Sequence, residues 1–266
     1  MRTVKPKKAL GQHFLTDIRT AGAIADTVDN CASLPILEVG PGTGVLTQFL
    51  IQKGRPYKCI ELDGESVDFL RREYPQLGDA LVEGDFLKQD LGALFDGGSF
   101  VLTGNYPYNI SSQIFFRMLD FMDLIPCCTG MVQREVAQRI TSGPGKKAYG
   151  ILSVLIQAWY DTEYLFTVGP EVFNPPPKVH SAVIRLTRNG RTSLGCNPEL
   201  FRRIVKGTFN QRRKMIRNSL RGCIGPDSDV PQCRWLDKRP EQLSVEDFIE
   251  LTNLVENSRK NGEGIV

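Results

Sequence analysis

A glycine-rich segment, ILEVGPGTGVLT at residues 36–47, constrains the fold more than any other part of the chain. A short apolar run leads directly into Gly40, Gly42 and Gly44, and a helical pattern follows them. Glycines at such a point let the backbone turn sharply and approach a ligand at the N-terminus of the next helix. The segment therefore predicts a buried strand that passes through a tight turn into a helix, as in an α/β sheet.

The alternation of strand and helix continues through the first half of the chain. Apolar runs bounded by turn residues predict strands at residues 35–39, 57–62, 80–82, 100–103 and 129–133. Helical patterns accompany them at residues 21–28, 45–52, 66–72, 111–122 and 134–141. This alternation predicts parallel strands with helices covering both faces of one sheet.

The pattern changes after residue 141. A helix is predicted at residues 148–157, and two strands, at 159–168 and 180–187, are joined by a proline-rich loop at 169–178. The sheet is therefore expected to have seven strands and to end in an antiparallel pair.

A linker composition at residues 189–198 separates this region from a helical one. A helix is predicted to begin near Pro198, and Ser244–Asp247 resembles a capping box at the start of another helix. The apolar residues of the first helix share one face; they are Phe201, Ile204, Val205 and Phe209. These patterns predict two domains, residues 1–188 and a small helical domain at residues 189–266.

Composition limits the compartment and the kinds of site. The chain has no apolar run long enough for a membrane helix, and its basic N-terminus lacks the apolar core of a signal peptide. We therefore expect a cytoplasmic protein. Seven cysteines without a C-x-x-C pair argue against a disulfide framework and against a zinc site, and Cys59, Cys127 and Cys128 are expected to be small core residues.

The basic residues cluster, although the net charge is only +3. No acidic residue lies within residues 201–221, a segment that contains Arg202, Arg203, Lys206, Arg212, Arg213, Lys214, Arg217 and Arg221. Such a cluster suits a polyanion, and it equally suits a solvated helix face.

Two acids follow the next predicted strands. Glu61 lies 21 residues after Gly40, close to the spacing of an acid that binds ribose hydroxyls. Val45 occupies the place of the third glycine of a dinucleotide fingerprint, so the turn departs from the hydride-transfer pattern. Asp85 follows the third strand, where its carboxylate can accept a hydrogen bond from an adenine amine. Either acid can instead be a helix N-cap.

The fourth strand ends in Asn105-Tyr106-Pro107-Tyr108. The adenine amine is a poor nucleophile because its lone pair is delocalised into the ring. The Asn105 side-chain oxygen and the carbonyl of Tyr106 or Pro107 can accept its two N–H bonds, while Pro107 stiffens the turn and Tyr108 stacks on a flipped base. Phe173 can close the other face of the base pocket. The alternatives are an ordinary Pro-Tyr turn capped by Asn105 and a buried loop phenylalanine.

Several motifs together resemble the ribosomal RNA adenine N6-dimethyltransferase family. They are GQHFL at residues 11–15, LEVGPGTGVLT at 37–47, IELD at 60–63, GDFL at 84–87, NYPYNIS at 105–111 and FNPPPKVHSAVIRL at 173–186; LSVEDFIEL at 243–251 is similar too. The chain is most similar to the bacterial KsgA type, which dimethylates two adjacent adenosines in a hairpin loop near the 3′ end of small-subunit rRNA.

The resemblance implies a seven-stranded, Rossmann-like class I methyltransferase sheet with a small C-terminal helical domain. It also implies S-adenosyl-L-methionine as cofactor, 16S rRNA within the small ribosomal subunit as partner, no metal, and a monomer. The basic run from Arg202 to Arg217 becomes a predicted RNA-binding surface.

The resemblance also implies individual roles. The cofactor contacts fall on His13, Leu15, Gly40, Gly42, Glu61, Asp85 and Asn105. The catalytic and base contacts fall on Asn105, Pro107, Tyr108 and Phe173. The chain departs from the family at His13, where Asn is usual, and at Tyr106, where Leu is usual.

Three other functions remain open from the sequence. They are methylation of large-subunit rRNA, methylation of adenine in DNA, and an assembly role on immature ribosomal subunits in which catalysis is secondary. Against the DNA enzyme stands the small size of the helical domain, which leaves no room for a sizeable target-reading domain.

Overall fold

A computed structural model describes residues 4–224 and 231–262 of the chain. The chain divides into two compact units, one formed by Met1–Ala137 with Thr162–Arg188 and the other by Gln138–Asp161 with Asn189–Val266. Residues 138–161, which the sequence pattern assigned to the first domain, therefore cluster with the helical region.

The strands are β1 (Phe14–Leu15), β2 (Ile36–Val39), β3 (Tyr57–Glu61), β4 (Leu81–Glu83), β5 (Val101–Thr103), β6 (Cys127–Gln133), β7 (Tyr160–Val168), β8 (Phe173–Asn174) and β9 (Ser181–Arg188). The α-helices are α1 (Ile18–Asp26), α2 (Thr47–Leu50), α3 (Gly64–Glu73), α4 (Ser111–Asp120), α5 (Arg134–Thr141), α6 (Ile151–Gln157), α7 (Pro198–Asn210), α8 (Ile216–Ser219), α9 (Arg221–Ile224) and α10 (Val245–Gly262).

Seven strands form one sheet in the order β4-β3-β2-β5-β6-β9-β7. The five strands from β4 to β6 pair in parallel, whereas β9 runs antiparallel to β6, from Cys127 opposite Thr187 to Gln133 opposite Ser181. The predicted seven-stranded α/β sheet is confirmed. Since parallel strands present their carboxyl ends at one edge, the segments that follow β2, β3, β4 and β5 all meet there.

A two-stranded ribbon was missed by the sequence analysis. In the loop predicted at residues 169–178, Phe173 and Asn174 form β8, which pairs antiparallel with β1 through Phe14–Asn174 and Leu15–Phe173. Two-residue strands are too short to show an alternating pattern, so only the long-range pairing reveals them. The ribbon ties the N-terminal segment to the proline-rich loop.

Helix boundaries differ from the predicted ones where a capping side chain decides them. Helix α1 begins at Ile18, three residues before its predicted start, because the Asp17 carboxylate accepts a hydrogen bond from the Thr20 backbone N–H at 2.8 Å. Helix α2 is only Thr47–Leu50 and continues as a 3-10 turn, Ile51–Lys53.

Cys127 is buried in the core as predicted, but the expectation against disulfides is wrong for this residue. Cys31 and Cys127 form a disulfide, and their Cα atoms lie 5.9 Å apart, within the usual range for such a bond. The two residues are 96 positions apart in sequence, so no spacing rule indicated the pair. The other two predictions hold, because Cys59 and Cys128 are buried with free thiols.

Apolar packing holds the ribbon and α1 against the sheet. One buried cluster includes Leu15, Ile24, Ile36, Met131 and Phe173. Burial of a single side chain of this size contributes roughly 1.5–3 kcal/mol, so this packing stabilises the first unit.

The second unit has the helical features that the sequence predicted. The four residues expected on one face of α7 are all buried. The Ser244 hydroxyl accepts from the Asp247 N–H at 3.1 Å, and the Asp247 carboxylate accepts from the Ser244 N–H at 2.9 Å, which confirms the capping box before α10. Within residues 4–224 and 231–262, no helix combines the length and apolar character that crossing a bilayer requires.

Candidate active site

The glycine turn after β2 has the conformation that the sequence predicted. Gly40, Gly42 and Gly44 have φ values of 67°, 58° and 78°, in the left-handed region that side chains disfavour. A Cβ on Gly42 would lie 3.0 Å from the Phe14 ring, and one on Gly44 only 2.5 Å from the Tyr74 ring. Both space and backbone conformation therefore demand glycine at the turn.

A buried carboxyl group anchors this turn from below. Glu38, in the otherwise apolar strand β2, is 1% exposed and accepts hydrogen bonds from the Thr47 hydroxyl at 2.8 Å and from the Tyr57 hydroxyl. Burial raises the pKa of Glu38 to about 7, and the two hydroxyls partly offset that effect. The sequence analysis did not single out Glu38 and missed its role as an anchor for α2.

Glu61 connects β3 to the glycine turn. Its carboxylate is 5% exposed and accepts from the backbone N–H groups of Gly42 at 2.9 Å and Asp63 at 2.8 Å. Burial raises its pKa, and the two N–H donors oppose that rise. Glu61 is not a helix cap, which was the alternative role. The N-cap of α3 is Asp63, whose side chain accepts a hydrogen bond from the Glu65 N–H.

The Asp85 carboxylate makes contacts with its own loop and is also accessible from the cavity. Its Oδ1 accepts from the Leu87 N–H at 2.9 Å, while Oδ2 lies 3.7 Å from the Lys88 ammonium. The side chain is 27% exposed, so it remains accessible to a ligand.

One cavity of about 200 Å³ lies at the carboxyl edge of the sheet. It brings together most of the predicted site; the predicted residues on its wall are His13, Leu15, Gly40, Gly42, Glu61, Asp85, Asn105, Pro107 and Tyr108. Phe173 is not on that wall. It is 4% exposed in β8 and belongs to the apolar cluster around Leu15.

The tip of β5 is held rigidly by its neighbour β6. The Tyr106 N–H donates to the Met131 carbonyl at 3.0 Å, and the Met131 N–H donates to the Gly104 carbonyl at 2.9 Å. A Cβ on Gly130 would lie 2.4 Å from the Gly104 oxygen, so this approach requires glycine. The sequence analysis did not single out Gly104 or Gly130, although a glycine inside an apolar strand, as Gly130 is in β6, is a signal of close backbone approach.

The Asn105 amide has one defined orientation. Its Nδ2 donates to the backbone carbonyl of His13 at 3.2 Å. A carbonyl oxygen can only accept, so the nitrogen of the amide faces His13 and Oδ1 remains the acceptor for another group. Asn105 therefore does not cap α4.

The two aromatic residues of the NYPY motif face different surroundings. Tyr106 is 1% exposed, and its hydroxyl donates to the Thr129 carbonyl at 3.0 Å. The tyrosine in place of the usual Leu therefore alters the packing of the core and not the wall that faces a ligand. The Tyr108 ring lines the cavity and stacks on the His13 ring with 5.3 Å between centroids. Its hydroxyl bonds to the Ser181 hydroxyl, and burial raises its pKa.

An N-terminal arm, residues 7–15, borders the cavity and is fastened on two sides. On one side the Lys7 ammonium contacts the Asp63 carboxylate at 2.5 Å, and Gln12 Nε2 donates to the same carboxylate at 3.2 Å. On the other side Asn109 Nδ2 donates to the Ala9 carbonyl at 3.3 Å. The sequence analysis treated Lys7 only as part of a basic N-terminus.

The basic run of the second unit is partly neutralised by acids from outside it. Arg217 forms an ion pair with Asp237, and Arg212 Nε lies 3.6 Å from the Glu241 carboxylate. Most of the predicted RNA contacts carry exposed side chains, namely Arg203, Lys206, Arg213, Lys214 and Arg217; Arg202 and Arg212 are half-buried.

Comparison with solved structures defines the class of protein. The fold is similar to that of a dimethyladenosine transferase from Plasmodium falciparum, with a TM-score of 0.74 and 23% identity over 93% of this chain and 98% of the other. It is also similar to the 23S rRNA methyltransferase ErmE, with a TM-score of 0.63 and 26% identity over 90% and 99% of the two chains. The chain therefore has a Rossmann-like class I methyltransferase fold.

Sequence comparison narrows the class to a family. Residues 3–256 match the family described as Ribosomal RNA adenine dimethylase. Proteins named Ribosomal RNA small subunit methyltransferase A are 65% identical in Phocaeicola vulgatus, over 100% of this chain and 95% of the relative, and 52% identical in Flavobacterium johnsoniae, over 96% and 98%. The chain belongs to the ribosomal RNA adenine dimethylase family.

Proposed function

We propose that this protein dimethylates the N6 amines of two adjacent adenosines in a hairpin loop near the 3′ end of 16S rRNA, using S-adenosyl-L-methionine. The observation that carries the proposal is the orientation of Asn105, whose Oδ1 is left as an acceptor in the same cavity as Glu61 and the glycine turn. On this proposal the chain acts as a monomer in the cytoplasm, on the small ribosomal subunit.

The cavity fits a nucleoside-containing cofactor. Gly40 and Gly42 present backbone without a Cβ on the cavity wall, and the Glu61 carboxylate is a buried acceptor for hydroxyl groups. Apolar side chains on the same wall, including Leu62 and Phe86, suit a base. When bound, S-adenosyl-L-methionine would supply an electrophilic methyl group on a sulfonium sulfur. The residues that we assign to hold it are His13, Leu15, Gly40, Gly42, Glu61, Asp85 and Asn105.

The tip of β5 holds the target amine. Asn105 Oδ1 accepts one N6–H bond, and a backbone carbonyl accepts the other, which directs the nitrogen lone pair toward the cofactor side. The Pro107 carbonyl already accepts from the Ile110 N–H at 3.3 Å, so we assign the second bond to the Tyr106 carbonyl. Tyr108 stacks on the base, a contact worth roughly 1–3 kcal/mol.

Phe173 has a conditional role in this proposal. Its side chain is buried in the free protein, so it can form the second face of the base pocket only if the target base reaches the β1–β8 ribbon.

Orientation supplies the catalysis, because no nucleophile of the protein is required. Holding two reactants in line can lower a barrier by roughly 7–11 kcal/mol, and a rigid tip is what such positioning needs. The hydrogen bonds from β6 to Gly104 and Tyr106 provide that rigidity.

The test uses small ribosomal subunits from cells that lack the modification, labelled cofactor and mass spectrometry of the rRNA. Asn105→Ala is expected to lower kcat by at least about 100-fold, since it removes one of two acceptors for the amine. Asn30→Ala, an exposed asparagine on a 3-10 turn, serves as the matched control. Methylation by Asn105→Ala at the wild-type rate would rule out the mechanism.

Parallel reactions with large-subunit rRNA and duplex DNA separate the other enzymatic functions. Resemblance in fold to ErmE is the observation that keeps the large-subunit alternative in view. Transfer to small subunits alone is the expected result. The assembly role is tested by asking whether an inactive Asn105 variant restores subunit maturation in cells without the enzyme.

A further inference from the structure

We propose that the Tyr106 hydroxyl is a tether that positions the second acceptor of the target amine, because it holds the residue that carries this acceptor against β6. The inference rests on the proposed function and deepens it. It makes Tyr106 a positioning residue as well, since its side chain acts through its own backbone carbonyl from inside the core.

The peptide that links Tyr106 to Pro107 is held less firmly than its neighbours. Proline has no N–H, so this peptide donates no hydrogen bond. The Tyr106 N–H donates to the Met131 carbonyl at 3.0 Å, but that N–H belongs to the preceding peptide. Because the side chain and the carbonyl of Tyr106 share one Cα, whatever holds the side chain also limits the position of the carbonyl.

The Tyr106 side chain spans a gap in the pairing of β5 with β6. On β6, regular pairing with β5 ends at Cys128 and resumes at the single bridge of Met131. The Tyr106 hydroxyl donates at 3.0 Å to the carbonyl of Thr129, which lies within this gap. A side-chain hydrogen bond therefore joins the two strands where the ladder is interrupted.

The Tyr106 ring lies in a closely fitting space between two glycines. A Cβ on Gly130 would lie 2.7 Å from the ring, and a Cβ on Gly104 would lie 3.4 Å from it. The Phe115 ring contacts it edge-on, with 5.8 Å between the centroids. The ring therefore has little freedom to turn, and its hydroxyl stays directed at Thr129.

The hydroxyl is a hydrogen-bond donor throughout the working pH range. Burial raises the pKa of Tyr106 well above its usual value. The Cys128 sulfur lies 3.2 Å from the same oxygen and is also protonated, because burial raises its pKa to about 12. A carbonyl only accepts, so the Tyr106 proton is directed to Thr129.

The partner of the tether is itself fixed. Thr129 Oγ1 lies 2.7 Å from the Thr27 hydroxyl oxygen and 3.0 Å from the Ile184 carbonyl, so this part of β6 is held to the 3-10 turn after α1 and to β9. Leucine, the usual residue at the place of Tyr106, has no polar group that could use this anchor. The tether therefore depends on tyrosine at this place.

Three substitutions separate the hydroxyl from the rest of the residue. Tyr106→Phe removes the hydroxyl and keeps the ring. Cys128→Ala removes the other neighbour of that hydroxyl and keeps the Thr129 carbonyl. Tyr149→Phe is the matched control, because Tyr149 is equally buried and its hydroxyl has no hydrogen-bond partner among the residues that the structure describes.

Kinetics with under-methylated small subunits are expected to show the loss in kcat alone. Tyr106→Phe lowers kcat about fivefold, the scale of a slightly misplaced reactant. Its KM for the subunits and its Kd for S-adenosyl-L-methionine stay within about twofold of wild type. Cys128→Ala and Tyr149→Phe keep kcat within about twofold of wild type. A merely structural role of the hydroxyl would lower the unfolding temperature without this division between kcat and KM.

A second measurement does not depend on methylation. Amide hydrogen exchange in the free enzyme is expected to rise about tenfold at residue 106 and at Met131 in Tyr106→Phe but not in Tyr149→Phe. If wild type fails to methylate the subunits while this exchange pattern appears, the proposed function fails and the tether stands.

The inference is overturned if Tyr106→Phe has the same kcat as Tyr149→Phe, or if exchange at both amides matches wild type. It is also overturned if Cys128→Ala loses as much kcat as Tyr106→Phe, since the thiol would then be the partner. Should Tyr106→Phe fail to fold, Tyr106→Leu carries the same test, and wild-type kcat and exchange in that variant would refute the tether.

Discussion

At the scale of single residues, the chain places a carboxyl group where an apolar side chain would be expected. Glu38 lies in β2, an inner strand of the sheet, and the only sign of it in the sequence is one charge within an apolar run. Its hydrogen bonds to Thr47 and Tyr57 connect β2, β3 and α2 beneath the glycine turn. A buried carboxyl with two partners is costly to ionise, which gives the residue a measurable effect on stability.

Stability is expected to fall as pH rises from about 5 to about 7 because of Glu38. The folded protein has a Glu38 pKa of about 7, against an ordinary value of 4.5, so the folded state holds a proton that the unfolded state has lost. The protein that binds more protons when folded loses stability as pH rises, here on the order of 2–3 kcal/mol. Thermal unfolding across this pH range measures the effect.

Glu38→Gln imitates the protonated acid and should flatten that part of the stability profile. The exposed Glu171→Gln is its control and should leave the profile unchanged. The difference between the unfolding midpoints of wild type and Glu38→Gln is the quantity to follow. If that difference is constant from pH 5 to pH 8, the raised pKa of Glu38 is contradicted.

At the scale of elements, the N-terminal arm is built into the site rather than attached to it. Residues 10–15 line the cavity, and the Lys7–Asp63 ion pair fastens the start of the arm to the end of β3. Asp63 is 2% exposed while Lys7 is 39% exposed. Burial alone would raise the pKa of Asp63, but the hydrogen bonds from Lys7, Gln12 and Ser66 and the charge of Lys7 together outweigh burial, so that pKa lies below its usual value.

Lys7→Ala is expected to weaken the binding of S-adenosyl-L-methionine about fivefold, equivalent to about 1 kcal/mol, because it leaves a buried carboxylate with fewer donors and loosens one wall of the cavity. Calorimetry with the free enzyme measures this change. Lys5→Ala removes an exposed charge two residues before the arm and is the control. Equal affinities in the two variants would show that the ion pair does not hold the arm in place.

At the scale of the whole molecule, charge is concentrated where the second unit turns from α7 to α8. Arg213 and Lys214 are exposed in this turn, whereas Arg212 forms an ion pair with Glu241. Each phosphate neutralised by a basic side chain releases counterions, so RNA affinity that depends on this turn must depend on salt.

Charge reversal of Arg212 and Arg213 to Glu should weaken binding to small subunits and reduce the magnitude of the salt slope by about 1–2. Binding measured at several salt concentrations tests this. The adjacent, exposed pair Arg71 and Arg72 on α3 offers a matched double reversal with the same change in net charge. A slope identical in both double variants would assign the turn to an ordinary solvated surface.

The order of strands and helices followed from the sequence because it depends on local patterns. Apolar runs and glycines located β2, β3, β4 and β5, and the NYPY motif located the tip of β5. The seven-stranded sheet was correct, and nine of the predicted site residues line one cavity. Each of these features is encoded within about a dozen consecutive residues or in the spacing between neighbouring strands.

Contacts between residues far apart in the chain could be found only from the tertiary structure. The β1–β8 ribbon, the Cys31–Cys127 disulfide and the Lys7–Asp63 ion pair join segments whose separate patterns show nothing unusual. The same holds for His13, which contacts Asn105 through its carbonyl and Tyr108 through its ring. The sequence by itself determined which chemical groups stand at the edge of the sheet, because strand ends are local. Only the folded chain decided how those groups are oriented, because side-chain orientation depends on packing between elements that no local pattern records.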